Sequence, residues 1–127
     1  MGEAMTDTFE HKRFHRLEDC IQRAKSGERV QVEVDLRIEK IMRTAEQRGE
    51  ECHQVDGYLF VADFVCTLHG CRDTISKVYS LSYLTGKPEE LHVDRQIANA
   101  RLKMDYTRLQ EAGIDLNPTF FPEDNWL

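Results

Sequence analysis

The sequence predicts an α+β domain of order αβββα, in which a three-stranded antiparallel meander carries two helices packed mainly on one face. Three observations carry that expectation. Tyr58–Leu68 and Thr74–Leu84 are rich in aromatic and β-branched residues and hold neither proline nor glycine, so with His69–Gly70 between them they read as a β-hairpin. Upstream, Val30, Val32, Val34, Leu36 and Ile38 alternate with Gln31, Glu33, Asp35, Arg37 and Glu39, the period-two signature of a strand with one buried face. Apolar residues at three- and four-residue spacing flank this block on both sides, which predicts a helix at each end.

Taken in order, residues 1–7 are expected to be a mobile start. The first helix is expected over Thr8–Ser26, with Phe14, Leu17, Ile21 and Ala24 on its apolar face and Cys20 beside them. Thr8 fits the N-cap, Glu10 suits the positive end of the helix dipole, and Gly27 suits the left-handed C-cap. After the alternating strand, TAEQRGEECHQVDG is polar and holds two glycines, so it reads as a long loop. A helical extension over Glu39–Arg48 is the alternative, because Ile38, Ile41, Met42 and Ala45 also fit a helical stripe.

A two-residue turn at His69–Gly70 sets Leu68 opposite Cys71, Phe64 opposite Ile75 and Phe60 opposite Tyr79. One face then carries Tyr58, Phe60, Ala62, Phe64, Cys66, Ile75, Tyr79, Leu81 and Tyr83. The other carries Leu59, Val61, Asp63, Val65, Val78 and the serines Ser76, Ser80 and Ser82. The last helix is expected over Pro88–Ala112: proline suits its first position, Glu89 and Glu90 its dipole, and Gly113–Ile114 a Schellman ending. Ile97, Ala98, Leu102, Leu109 and Ala112 form its stripe, with Met104 and Tyr106 at the margin. Residues 114–127 contain two prolines and form an irregular aromatic tail.

The chain reads as one domain spanning 1–127, a length that can bury a core without disulfide or metal staples. A formal net charge of −6 argues against nucleic acid and anionic membranes as partners. No apolar run approaches the roughly 20 residues of a membrane helix, and MGEAMTDTFEHKRF has no signal-like apolar segment. A cytoplasmic location with reduced cysteines is therefore expected. The element order is similar to that of double-stranded-RNA-binding domains. That likeness is one of topology alone, and no basic cluster precedes the last helix to support RNA binding.

No nucleophile elbow, phosphate loop, dinucleotide fingerprint or EF-hand loop is present. Cys52 and His53 precede the strand Tyr58–Leu68, which spans about 35 Å at roughly 3.3 Å per residue, so they cannot join ligands at its far end. Cys66, His69 and Cys71 around the hairpin turn remain as three soft ligands for zinc, against a bland alternative of core thiol, turn residue and surface thiol. His11 and His15 share a helix face without the H-E-x-x-H pattern and read as hydrated. Asp63 interrupts an apolar strand, where a carboxylate is costly unless paired or exposed.

The expected function is non-catalytic: a small accessory or regulatory protein that binds another protein, or a second copy of itself. The binding residues would be Leu59, Val61 and Val65 on an open sheet face, or Phe120, Phe121 and Trp126 of the tail. The opposing expectation is that the tail folds over that face. Two alternatives stand beside it: a zinc-binding or redox-responsive protein using Cys66, His69 and Cys71, and a small-ligand protein or enzyme centred on Asp63 with Tyr58, Tyr79 or Tyr83 lining a pocket.

Overall fold

The computed structural model describes residues 14–83 and 87–122. The elements follow as α1 (Leu17–Lys25), β1 (Val30–Gln47), β2 (Glu50–Leu68), β3 (Cys71–Tyr83) and α2 (Pro88–Glu111). The strands form one antiparallel meander, β1-β2-β3, and the fold is αβββα as expected. The mobile start, the Thr8 cap, His11 and Trp126 lie outside the described residues.

Among the described residues, α1 begins at Leu17. Phe14, His15 and Arg16 are not helical, because the Asp19 carboxylate reaches back to accept the backbone N–H groups of His15 (2.9 Å) and Arg16 (3.1 Å). That is how an acidic side chain satisfies the orphan donors of a helix start. Phe14 still enters the core, and its own N–H donates to Asp73 on β3 at 3.0 Å. The helix ends at Ser26–Gly27 with Gly27 at φ 93°, as expected.

The stretch read as a loop is instead the outer half of a long ribbon. β1 and β2 stay paired from Val30–Leu68 out to Gln47–Glu50 and reverse at Arg48–Gly49. Arg48 (φ 55°) and Gly49 (φ 77°) both adopt the left-handed conformation that a tight hairpin turn requires, and His69 (52°) and Gly70 (80°) do the same between β2 and β3. Beyond the end of β3 the ribbon holds no fully buried residue, although Val55 packs partly against the core. The ribbon therefore shows no alternation of apolar and polar residues, and cross-strand polar pairs such as Arg43–Gln54 (3.1 Å) and Thr44–His53 (3.4 Å) hold it. This pairing also excludes the helical alternative.

The core lies between the sheet and the helices. Val30, Val32, Phe60, Ala62, Phe64, Cys66 and Leu68 face Leu17, Cys20 and Ile21 of α1 and Leu91, Ala98, Leu102, Tyr106 and Leu109 of α2. Ile97, expected in the α2 stripe, is 40 % exposed, whereas Leu91 and Asp105 are buried; the inward line runs through Ala98, Leu102, Tyr106 and Leu109 and leaves Ile97 beside it. The chain after α2 turns at Gly113 and packs on this same side of the sheet. Phe121 is 1 % exposed and meets Phe60 edge-to-face at 5.5 Å, and Asn99 grips its backbone through both amide atoms (2.8 and 3.3 Å). The tail through Pro122 thus adds to the helix layer rather than covering the opposite face.

Two bulges set the faces. Between β1 and β2 the register shifts at Ile41/Met42. Between β2 and β3 it shifts at Phe60/Val61: Val61 opposes Val78, Phe60 opposes Ser80, and Tyr79 is the extra residue. The expected pairing of Phe60 with Tyr79 is corrected accordingly. From the turn up to Val78 the strands face as the alternation suggests. Past the bulge they are exchanged: Ser80 and Ser82 join the helix side, and Leu81 and Tyr83 turn outward opposite Leu59 and Gly57. At Gly57 the backbones approach so closely that a Cβ would lie 2.5 Å from the Ser82 carbonyl oxygen, so only glycine fits.

Candidate functional site

The candidate site is the sheet face turned away from the helices. Nothing among the described residues packs over it: Val78 is 54 % exposed, Leu81 41 % and Tyr83 60 %. The bulge at Tyr79 gathers these side chains with Leu59 and Val61 into an apolar half. Val61 sits centrally, flanked across the sheet by Arg37 and Val78, and is 2 % exposed without help from either helix. Leu59 and Val65, both partly buried, extend the patch along β2.

The other half is polar, and Asp63, Arg37, Glu39 and Ser76 in it are bonded to one another. Asp35 stands opposite Asp63 across β1 and β2, an arrangement that costs energy when left alone. Arg37 resolves it by donating to the Asp63 carboxylate on one side and to Glu39 on the other (2.6 Å). Ser76 Oγ donates to the second Asp63 oxygen at 2.6 Å. Ser76 first, and then Arg37, hold the Asp63 carboxyl below its ordinary pKa.

A general base at neutral pH needs the opposite shift, so this environment makes Asp63 a stable anion rather than a proton acceptor. Tyr58 and Tyr79 are buried on the far side of the sheet, and Tyr83 alone of the three tyrosines shares a face with Asp63. The structure thus does not bring the expected aromatic lining to that carboxylate. A groove of the domain runs instead along the edge of β1 against the chain after α2, lined by Val32, Val34, Gly113, Ile114 and Leu116 among others.

The depressed carboxyl has a pH consequence. A group whose pKa falls on folding adds stability that is present above its unfolded value, about 3.9 for aspartate, and is lost as pH drops through the folded value. The stability gap between wild type and Asp63→Asn is therefore expected to be constant from neutral pH down to about 5 and to close under more acidic conditions. Urea midpoints followed by circular dichroism across that range check it. An unchanged gap in acid would show that the carboxyl is not held down.

The three soft ligands at the turn are not brought together. Cys66 points into the core at 0 % exposure, His69 lies in the exposed turn, and Cys71 opposes Leu68 at the start of β3. Among the described residues no group of three histidine, cysteine, aspartate or glutamate side chains could hold a metal ion. Phe120 is 44 % exposed beside Tyr106, while Phe121, expected as a docking residue, is a core residue because Phe60 and Asn99 hold it.

A polar site that sequence reasoning misses lies on the helix side. Asp105 of α2 is 6 % exposed and accepts from Tyr79 Oη (2.6 Å) and Lys77 Nζ (2.5 Å), with an Arg108 nitrogen 3.9 Å from its other oxygen. Burial, and then the Asp105 carboxylate, push the Tyr79 hydroxyl's pKa up, so it stays a donor. This cluster ties α2 to the bulge. Its one sequence signal is an aspartate on the apolar side of a helical stripe.

Among the described residues no helix is long and apolar enough to cross a membrane. No family model matches the chain, no curated protein matches it, and no solved structure matches its fold.

Proposed function

We propose that this chain is a non-catalytic, cytoplasmic accessory protein that works by protein–protein docking through the sheet face turned away from the helices. The observation that carries the proposal is the bulge at Tyr79, which turns Leu81 and Tyr83 outward beside Leu59 and Val78. Apolar side chains clustered on a rigid sheet, bordered by polar groups, are the composition of an interface core and rim. The polar half fits the same purpose. Asp63, Arg37 and Ser76 already satisfy one another, so covering these three strands none of them.

A second copy of the chain is the partner this face serves most directly. A two-fold axis near Val61 would set Leu59, Val78 and Leu81 of one copy against the same strip of the other, giving an isologous contact. Sedimentation equilibrium over a wide concentration range is expected to show a monomer–dimer equilibrium for the wild type. Leu81→Glu, which places a charge at the centre of the strip without touching the core, is expected to weaken it by at least tenfold. A monomer at every concentration, with the variant indistinguishable, defeats the second-copy assignment.

A further inference from the structure

We infer that Cys20 and Cys66 are the two halves of an internal disulfide that closes on oxidation and locks α1 onto the central strand. The two residues are 46 positions apart, both are fully buried, and their sulfurs lie 2.9 Å from one another. Non-bonded heavy atoms pack at about 3.5–4.0 Å, so the pair is already well inside ordinary contact. A disulfide needs 2.03–2.05 Å, so closure asks for a shift of less than about 1 Å. The other two cysteines offer no such partner: Cys52 lies on the projecting ribbon and Cys71 at the start of β3, both partly exposed. A pairing of Cys66 with Cys71, conceivable from their closeness in sequence, is displaced by this contact, since Cys66 opposes Asp73 across the sheet and its sulfur is turned to α1.

The oxidant class is a small disulfide, of which glutathione disulfide is the probe. One cysteine, as thiolate, attacks it to form a mixed disulfide and release one glutathione; the other attacks the protein sulfur of that adduct and releases the second. Two protein thiols and one glutathione disulfide thus give one protein disulfide and two glutathiones, with both thiol protons and two electrons passing to glutathione. The bonded neighbour Cys66, and then burial, push the Cys20 pKa up, so Cys20 stays protonated and unreactive while α1 is docked. Exchange therefore starts when α1 is off the sheet, during folding or local opening, and the finished bond is shielded from reductant.

The test uses the full chain carrying Cys52→Ser and Cys71→Ser, refolded with glutathione disulfide in excess. Intact mass is expected to show the loss of two hydrogens, and non-reducing digestion is expected to link the peptides containing Cys20 and Cys66. Closing a loop of this length raises the melting temperature on the order of 10–20 °C, a gain that reduction in denaturant abolishes. Cys20→Ala in the same background loses the cross-link and the gain together. If both thiols of the refolded protein are still alkylated in denaturant, or carry glutathione without cross-linking, the inference is overturned. The cross-link readout does not depend on the alanine variant folding, nor on whether the sheet face docks a partner.

Discussion

Phe60→Ala is expected to lower the unfolding free energy by about 3–5 kcal/mol, the range for deleting a buried aromatic ring. Domains of this kind hold only about 5–15 kcal/mol in total, so most of the margin would go. Phe60 is 0 % exposed on the central strand, and its ring is what Phe121 meets edge-to-face. The cavity would therefore open where sheet, α2 and the irregular tail converge. Phe121→Ala and the double variant complete a cycle, in which the two losses should fall short of additivity by about 0.5–1.5 kcal/mol. Urea unfolding monitored by circular dichroism measures all four corners. A loss under about 1 kcal/mol for Phe60→Ala contradicts the packing described, because a fully buried ring cannot be removed so cheaply.

The second large effect is expected at Asp105. Asp105→Ala removes the acceptor of Tyr79 Oη and Lys77 Nζ and should cost about 2–4 kcal/mol. The two donors contribute unequally. Lys77 is 44 % exposed and can turn to water, so its share is small; Tyr79 is 1 % exposed, and its hydroxyl is stranded. Adding Tyr79→Phe to the alanine variant removes the stranded hydroxyl and should restore part of the lost stability. Asp105→Asn keeps an acceptor and should be milder than alanine. A double variant no more stable than Asp105→Ala would locate the cost elsewhere than in the Tyr79 hydroxyl.

These two sites differ in how plainly the amino-acid sequence announces them. The core-facing side of Phe60 is legible because a strand's period of two needs only neighbouring residues, whereas its partner is not, since the turn at His69–Gly70 sets the register only as far as Val78. Asp105 is not legible, since its partners lie 26 and 28 residues away and meet it only through the docking of α2. The same holds for Cys20 and Cys66, whose contact joins a helix to a strand across the core. Element order and the α2 boundaries follow from local signals: Pro88 at the start, Gly113 at the end, and helical spacing in between.

Two departures from the expected elements have specific physical causes. The outer ribbon holds no fully buried residue, so the alternation that distinguishes a strand from a loop is missing, and Arg48 in a left-handed turn carries no propensity to announce it. The start of α1 differs because a helical stripe of apolar residues says nothing of where a carboxylate reaches back to cap the backbone. Asp19 does so at His15 and Arg16, well inside the stripe. Of the candidate site, Leu59, Val61 and Val65 are legible from β2 alone, whereas simple alternation puts Leu81 on the wrong side because the bulge interrupts it.

That interruption has a consequence for how the outer surface is encoded. Were Tyr79 paired regularly with Phe60 instead of bulged, the serines at 80 and 82 would point to water and the leucine and tyrosine at 81 and 83 into the layer of helices. A hydrophilic exterior and an adhesive one are therefore separated by whether one residue of β3 is bulged or paired, while every side chain involved keeps its identity. Stickiness on this surface is a matter of how the strand is paired rather than of which side chains it holds.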